Sequence, residues 1–230
     1  MKHLSALVIF VMSCLPLMAQ DNTQGKINYK IRVNVHASLK PDQLQYKDII
    51  PEFMEQEAVF LFKGRHGLVK SSEGGMEQEE GDVNVQIKMG NENGVTYVDM
   101  DAKKNFQLVK VGDKEYLLSG KGNDGGDNNN VKLDLKGKEV ETGETRKILG
   151  YDCKKVITGS GKDKAVYWYT TALPILGGAL GFMTEKGLVL EMESQVFSFK
   201  ATSVQFQQVA DADVLPPKGL KTISNMKEAK

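Results

Sequence analysis

Apolar side chains at Ile27, Tyr29, Ile31, Val33 and Val35 alternate with polar ones at Asn28, Lys30, Arg32, Asn34 and His36. A period of two puts one set on each face of an extended backbone, so this stretch is predicted to be a half-buried strand. The pattern then changes. Between residues 41 and 57, Tyr46, Ile49, Ile50, Phe53 and Met54 recur at helical spacing, which predicts an amphipathic helix kinked or split at Pro51. From Ala58 the period of two returns over 58–63, 66–71, 83–89, 94–101, 104–111 and 114–119. It continues over 131–135, 138–140, 144–149, 152–158, 164–170, 187–193 and 195–208. Gly, Asn and Asp bound the runs, and Asn93-Gly94 and Gly112-Asp113 suit hairpin turns, so an antiparallel meander is expected.

In the last run Phe197, Phe199 and Ala201 are odd-numbered whereas Val204 and Phe206 are even-numbered. A one-residue slip near Thr202 predicts a β-bulge. A flat sheet of about a dozen strands would leave an apolar side open to water. The expected fold is therefore mainly β with one or few helices: a single strongly curved antiparallel sheet, a half barrel, wrapped around the amphipathic helix. Its concave face is expected to carry Met54, Met89, Met100, Trp168, Phe197 and Phe199. Such a face serves either as plain core against the helix or as a cleft for a lipid, an acyl chain or a partner's hydrophobic segment, with unbranched Met side chains as an adaptable wall. The Gly177-Gly178 pair beside residues 180–183 adds the expectation of a mobile flap over that cleft.

Composition narrows the classes. The 230 residues hold 30 basic and 30 acidic side chains, and no basic excess exists to neutralise phosphates, which argues against a nucleic-acid partner. The N-terminus has Lys2 and His3 ahead of an apolar run over residues 4–18 that contains Pro16, then a small Ala19 and polar Gln20, Asp21 and Asn22. This reads as a secretory signal over residues 1–20, cleaved after Ala19 or Gln20, followed by one β domain over 21–230. A less favoured alternative makes Cys14 the lipid-bearing residue of a lipoprotein. An exported protein, periplasmic or associated with an outer membrane, is expected. Removing residues 1–20 takes one basic residue and no acidic one, leaving 29 against 30, and keeps a single cysteine, Cys153, so no disulfide forms within the mature chain.

Candidate chemistry is sparse. His36 and His66 have no Cys, Asp or Glu at zinc-ligand spacing, and neither a Gly-x-Ser-x-Gly elbow nor a Gly-x-x-x-x-Gly-Lys phosphate loop occurs. The reading is a non-enzymatic protein with no catalytic residue, metal or cofactor. Cys153, flanked by Lys154 and Lys155, is expected to pack in the sheet; a hydrolase would need it, or a loop serine, beside a base. The acidic stretch 73–82 and the Gly/Asn/Asp-rich stretch 119–130 read as solvated loops, the latter flexible. The alternative function is a structural or interaction module of an envelope assembly, its core filled and without a ligand.

One stretch is more specific. Glu141-Thr-Gly-Glu-Thr-Arg-Lys-Ile-Leu-Gly150-Tyr-Asp-Cys153, followed by Val166-Tyr-Trp168-Tyr-Thr-Thr-Ala-Leu-Pro174, resembles secreted proteins of Bacteroidota, the GLPGLI-type proteins and a related domain family of unknown function. Thr96-Tyr-Val-Asp, Lys104-Asn-Phe and the closing Leu215-Pro-Pro-Lys-Gly-Leu220 extend the resemblance, which covers residues 83–221. The chain departs from the name-giving motif, with Gly187-Leu-Val-Leu-Glu191 in its place, and inserts Gly177-Gly-Ala-Leu-Gly181. The resemblance implies a lipoprotein-carrier (LolA-like) half barrel of the bacterial envelope and no particular activity.

Overall fold

A computed structural model describes residues 21–72, 74–80, 83–89, 94–121 and 137–229, with backbone alone for 74–80, 83–89, Lys121 and Lys162. The signal segment with Cys14, the loop residues 122–130 and the strand expected over 131–135 lie outside the described residues.

Fourteen strands are described. They are β1 (Gln24–Asn34), β2 (Phe53–Lys63), β3 (His66–Ser71), β4 (Gly74–Glu80), β5 (Val83–Met89), β6 (Val95–Asp99), β7 (Lys104–Val111), β8 (Lys114–Lys121), β9 (Val140–Ile148), β10 (Tyr151–Thr158), β11 (Ala165–Thr170), β12 (Leu188–Ser194), β13 (Phe197–Phe206) and β14 (Lys221–Ile223). Among the described residues helix is confined to α1 (Val35–Ser38), α2 (Asp211–Val214) and short 3-10 turns. Twelve strands form one open sheet in the order β14-β8-β7-β6-β3-β2-β1-β13-β12-β11-β10-β9, and β4 pairs with β5 apart from it. All neighbours in the large sheet are antiparallel except β14 and β8, so the sheet is mixed.

β1 joins the two halves of the sheet, pairing with β2 on one side and β13 on the other. One inner row crosses the second half with its side chains buried: Val156, Tyr167, Met192, Phe199, Ile31 and Gln56. The next row, facing outward, holds Lys155, Trp168, Glu191, Lys200, Lys30 and Glu57. Strand alternation thus sorts the residues onto one buried face and one charged face. The slip at Thr202 is present: Asn28 opposes Ser203 while Tyr29 opposes Ala201, and the Thr202 hydroxyl donates to the Asn28 carbonyl at 3.2 Å. An open sheet this wide with a continuous core on one face has to bend, and the bulge supplies local twist.

Among the described residues no long helix fills the inner face. Residues 41–57 instead form a 3-10 turn (Pro41–Tyr46), a loop and the start of β2. Pro51 disfavours helical backbone at Ile50, and the side chains at helical spacing serve a small cluster of Val35, Ile50 and Met54. The inner face is covered by the β11–β12 connection, residues 171–187. Its Leu173, Ile175, Ala179 and Phe182 are buried in the core cluster with Phe60, Phe62, Val98, Met100, Tyr167 and Phe199. The turn Ala179–Gly181 packs on β2, β3 and β6, and Asn105 Nδ2 donates to the Gly181 carbonyl at 2.7 Å. Gly178 N–H donates to the Phe182 carbonyl at 2.9 Å, and Val189 N–H to the Gly177 carbonyl at 2.7 Å. The segment read as a flap is a packed cover.

Of the two expected turns, one is present. Gly112-Asp113 does join a hairpin, β7–β8, with Gly112 at φ 62. Asn93 of the other lies outside the described residues, and β6, which follows Gly94, pairs with β3 and β7 rather than with β5. The acidic stretch contributes β4, and Ser119, Gly120 and Lys121 extend β8 rather than opening a loop.

Candidate functional site

The six side chains expected on one concave wall separate. Phe197, Phe199 and Met100 are buried in the main core, and Met54 lies in the small cluster beside α1. Met89 ends β5 opposite Gly74, with its side chain outside the described residues. Trp168 does not join them: β11 turns Ala165, Tyr167 and Tyr169 inward, which sends Trp168 to the outer face. Both phases of this strand are aromatic or aliphatic, so alternation alone did not choose between them.

On that outer face Trp168 is half-buried among charges. The Arg146 guanidinium lies 4.1 Å from the ring centroid and Lys155 Nζ 5.8 Å from it. Arg146 Nη2 pairs with Glu191 Oε1 at 2.8 Å, Lys200 Nζ approaches Glu191 Oε2 at 3.8 Å, and Lys155 Nζ bridges both Glu144 oxygens at 2.9 and 3.0 Å. A cation on an indole is worth about 0.5–1 kcal/mol where exposed and about 2 kcal/mol where desolvated, and this half-buried ring falls between, so Arg146 can leave it at a modest cost. Register irregularities flank the residue. β11 and β12 slip between Trp168 and Tyr169, and β9 and β10 slip across Lys155, the neighbour of Trp168 in β10. Nothing in the sequence grouped Arg146, Glu191, Lys155 and Glu144 with Trp168, because strand register alone brings them to the ring.

A second polar cluster ties the cover to β9. Tyr169 Oη donates to Glu141 Oε1 at 2.8 Å, Lys186 Nζ donates to the same oxygen at 2.8 Å, and Tyr167 Oη and Thr184 Oγ1 share a hydrogen bond of 3.2 Å. Thr184 Oγ1 also donates to Glu139 at 3.3 Å. Hydrogen bonds from Lys186 and then Tyr169 lower the Glu141 pKa. Burial, followed by the Glu141 contact, pushes the Tyr169 phenol from 10.0 up to about 12. The unfolded chain therefore sheds this proton first. The Tyr169 contribution is complete below pH 10 and is lost as pH rises towards 12, so urea midpoints are expected to fall across that interval. Tyr169→Phe should flatten the decline.

Cys153 is free and buried, and burial raises its thiol pKa. It is a poor nucleophile in this setting, and a thiol reagent is expected to label it only after denaturation; prompt labelling of folded protein would contradict the burial. Gly150 at φ 86 follows Leu149 at φ 51 in the two-residue β9–β10 turn. A Cβ on Gly150 would meet nothing within 4 Å, so the turn needs its backbone angle rather than its lack of bulk. Among the described residues no group of three His, Cys, Asp or Glu side chains is placed to hold a metal ion, and no helix is long and apolar enough to cross a membrane.

A family model described as N-glycanase peptide, N-terminal domain (PNGase F-II) matches residues 127–225. That span is a little under half of the chain and includes β9 to β14. Two crystal forms of PNGF-II share the fold. One superposes with a TM-score of 0.55 at 17% identity over 89% of this chain, the other with 0.53 at 17% over 90%. At this identity the likeness concerns the fold alone. The chain covers 31% and 33% of those PNGF-II chains, about a third of their length. No curated protein matches. The match of residues 127–225 to the PNGase F-II N-terminal model and the shared PNGF-II fold overturn the GLPGLI-type, lipoprotein-carrier resemblance.

Proposed function

We propose that the chain is a non-enzymatic domain of an exported cell-envelope protein and that it recognises N-linked oligosaccharide on glycoproteins. The observation that carries this reading is the extent of the fold match: nearly the whole chain aligns with about a third of PNGF-II, as a separable accessory module would. The family description of residues 127–225 supplies the glycan. The signal-like residues 1–20 support export. The acyl-chain reading finds no support, since the chain's own Leu173, Ile175, Ala179 and Phe182 lie buried against the inner face. That same filling favours a second reading, an interaction module that binds a protein surface and no small ligand.

A glycoprotein and its enzymatically deglycosylated form, each immobilised, separate the two. Retention by the glycosylated form alone, with no oligosaccharide released into solution, is expected. Equal retention by both forms favours the protein-binding module, release of glycan makes the chain an enzyme, and retention by neither removes the glycan reading.

A further inference from the structure

We infer that the saccharide contact of this domain is the outer-face platform centred on Trp168, bordered by Arg146, Glu191, Lys155 and Glu144, and that its ligand is an uncharged oligosaccharide; this rests on the glycan reading above. A sugar ring has an apolar C–H face and a rim of hydroxyls, so it needs a flat, polarisable apolar surface edged by fixed donors and acceptors. Trp168 is the one aromatic residue in a row otherwise built of Lys155, Glu191, Lys200, Lys30 and Glu57. Near the ring the structure sets acceptors, the Glu191 and Glu144 carboxylates, and a donor, the Lys155 ammonium, while the Arg146 guanidinium lies over the ring face and swings aside as a sugar stacks, its donors then reaching the hydroxyl rim.

Three further observations bear on the ligand. Arg146 and Lys155 each pair with a carboxylate and Lys200 shares Glu191, so three cations stand against two carboxylates and the platform has little net charge to demand a charged guest. Register slips on both sides of Trp168 are the kind of local distortion that re-aims a side chain on a sheet, and the site stands on strands rather than loops. The Tyr169–Glu141–Lys186 cluster, by contrast, keeps its aromatic ring buried in the core and presents no face to a ligand.

Trp168 is the only tryptophan in the sequence, so its fluorescence reports on this place alone. The mature protein is titrated with an N-linked glycopeptide, the free oligosaccharide and the deglycosylated peptide, following heat by calorimetry and acrylamide quenching of Trp168. Saturable binding of glycopeptide and oligosaccharide, with Trp168 shielded from acrylamide, is expected. Trp168→Ala should weaken binding about tenfold or more, as loss of a tryptophan anchor does. Trp168→Phe, which keeps an aromatic face, should retain binding within about fivefold. Glycan binding with unchanged quenching and unaffected variants overturns the site while leaving the glycan reading intact. No heat with any glycan removes that reading, and this inference with it.

Discussion

Phe182→Ala is expected to lower folding stability by about 3–5 kcal/mol. Phe182 lies on the β11–β12 connection rather than on a strand, yet it is 2% exposed and its ring meets Tyr167 edge-on with centroids 5.5 Å apart. Truncation leaves a cavity between the cover and the sheet, whose strands cannot close over it without breaking pairs on both sides. The loss is a large share of the ~5–15 kcal/mol that holds a typical domain folded. Urea unfolding should show a lower midpoint with an unchanged slope. Leu149→Ala is the control: Leu149 is 44% exposed in the β9–β10 turn, and its removal should stay within about 0.5 kcal/mol. A Phe182→Ala effect as small as that would mean that the connection is a loose lid.

Gly177→Ala is expected to cost about 2–5 kcal/mol, from backbone strain and crowding together. Gly177 has φ 84, and a Cβ there would stand 2.2 Å from the Phe182 carbonyl oxygen, the acceptor for Gly178 N–H. The neighbour is backbone and is held by the turn it closes, so it has no side chain to swing away. Gly150→Ala isolates the conformational part. Gly150 has φ 86 with nothing within 4 Å of the added carbon, and its cost should be about 1–2 kcal/mol. Thermal or urea unfolding of the two variants compares them directly, and equal losses would show that the close approach at Gly177 relaxes freely.

Alternation along the chain carried most of the strands. β3, β5 and β7 begin and end where the period of two does, and the parity change in β13 located its bulge at Thr202. Pairing was less legible, because local pattern does not encode which strand lies next to which. β5 turned back onto β4 instead of joining β6, and the three-residue β14 came in parallel to β8. The helix expected over residues 41–57 failed because spacing of three and four also arises where a loop folds several apolar residues into one cluster, here Ile50 and Met54 with Val35.

The candidate site was legible only as a residue. Trp168 stood out in the sequence, but Tyr167 and Tyr169 are as apolar in the other phase, and burial of the larger pair decided the face. Its charged neighbours come from β9, β10 and β12, assembled by register and by two irregularities that no single strand reveals. The cover was hidden for the opposite reason. Residues 171–187 have no period, and Gly-rich apolar sequence reads equally as a mobile flap or as close packing. Gly177, Gly181 and Gly187 take positive φ, each where a Cβ would collide with a neighbouring atom.

The chain fills its own inner face, and this leaves the outer face to meet a ligand. Hydrogen exchange of the mature protein, read at single amides, tests that claim most directly. Gly178 and Val189, whose N–H groups bond to Phe182 and Gly177, are expected to exchange as slowly as the paired amides of β1 and β13. Exchange there on the scale of exposed loops, with β1 and β13 still protected, would show the cover open and would return the inner face to contention as the binding surface.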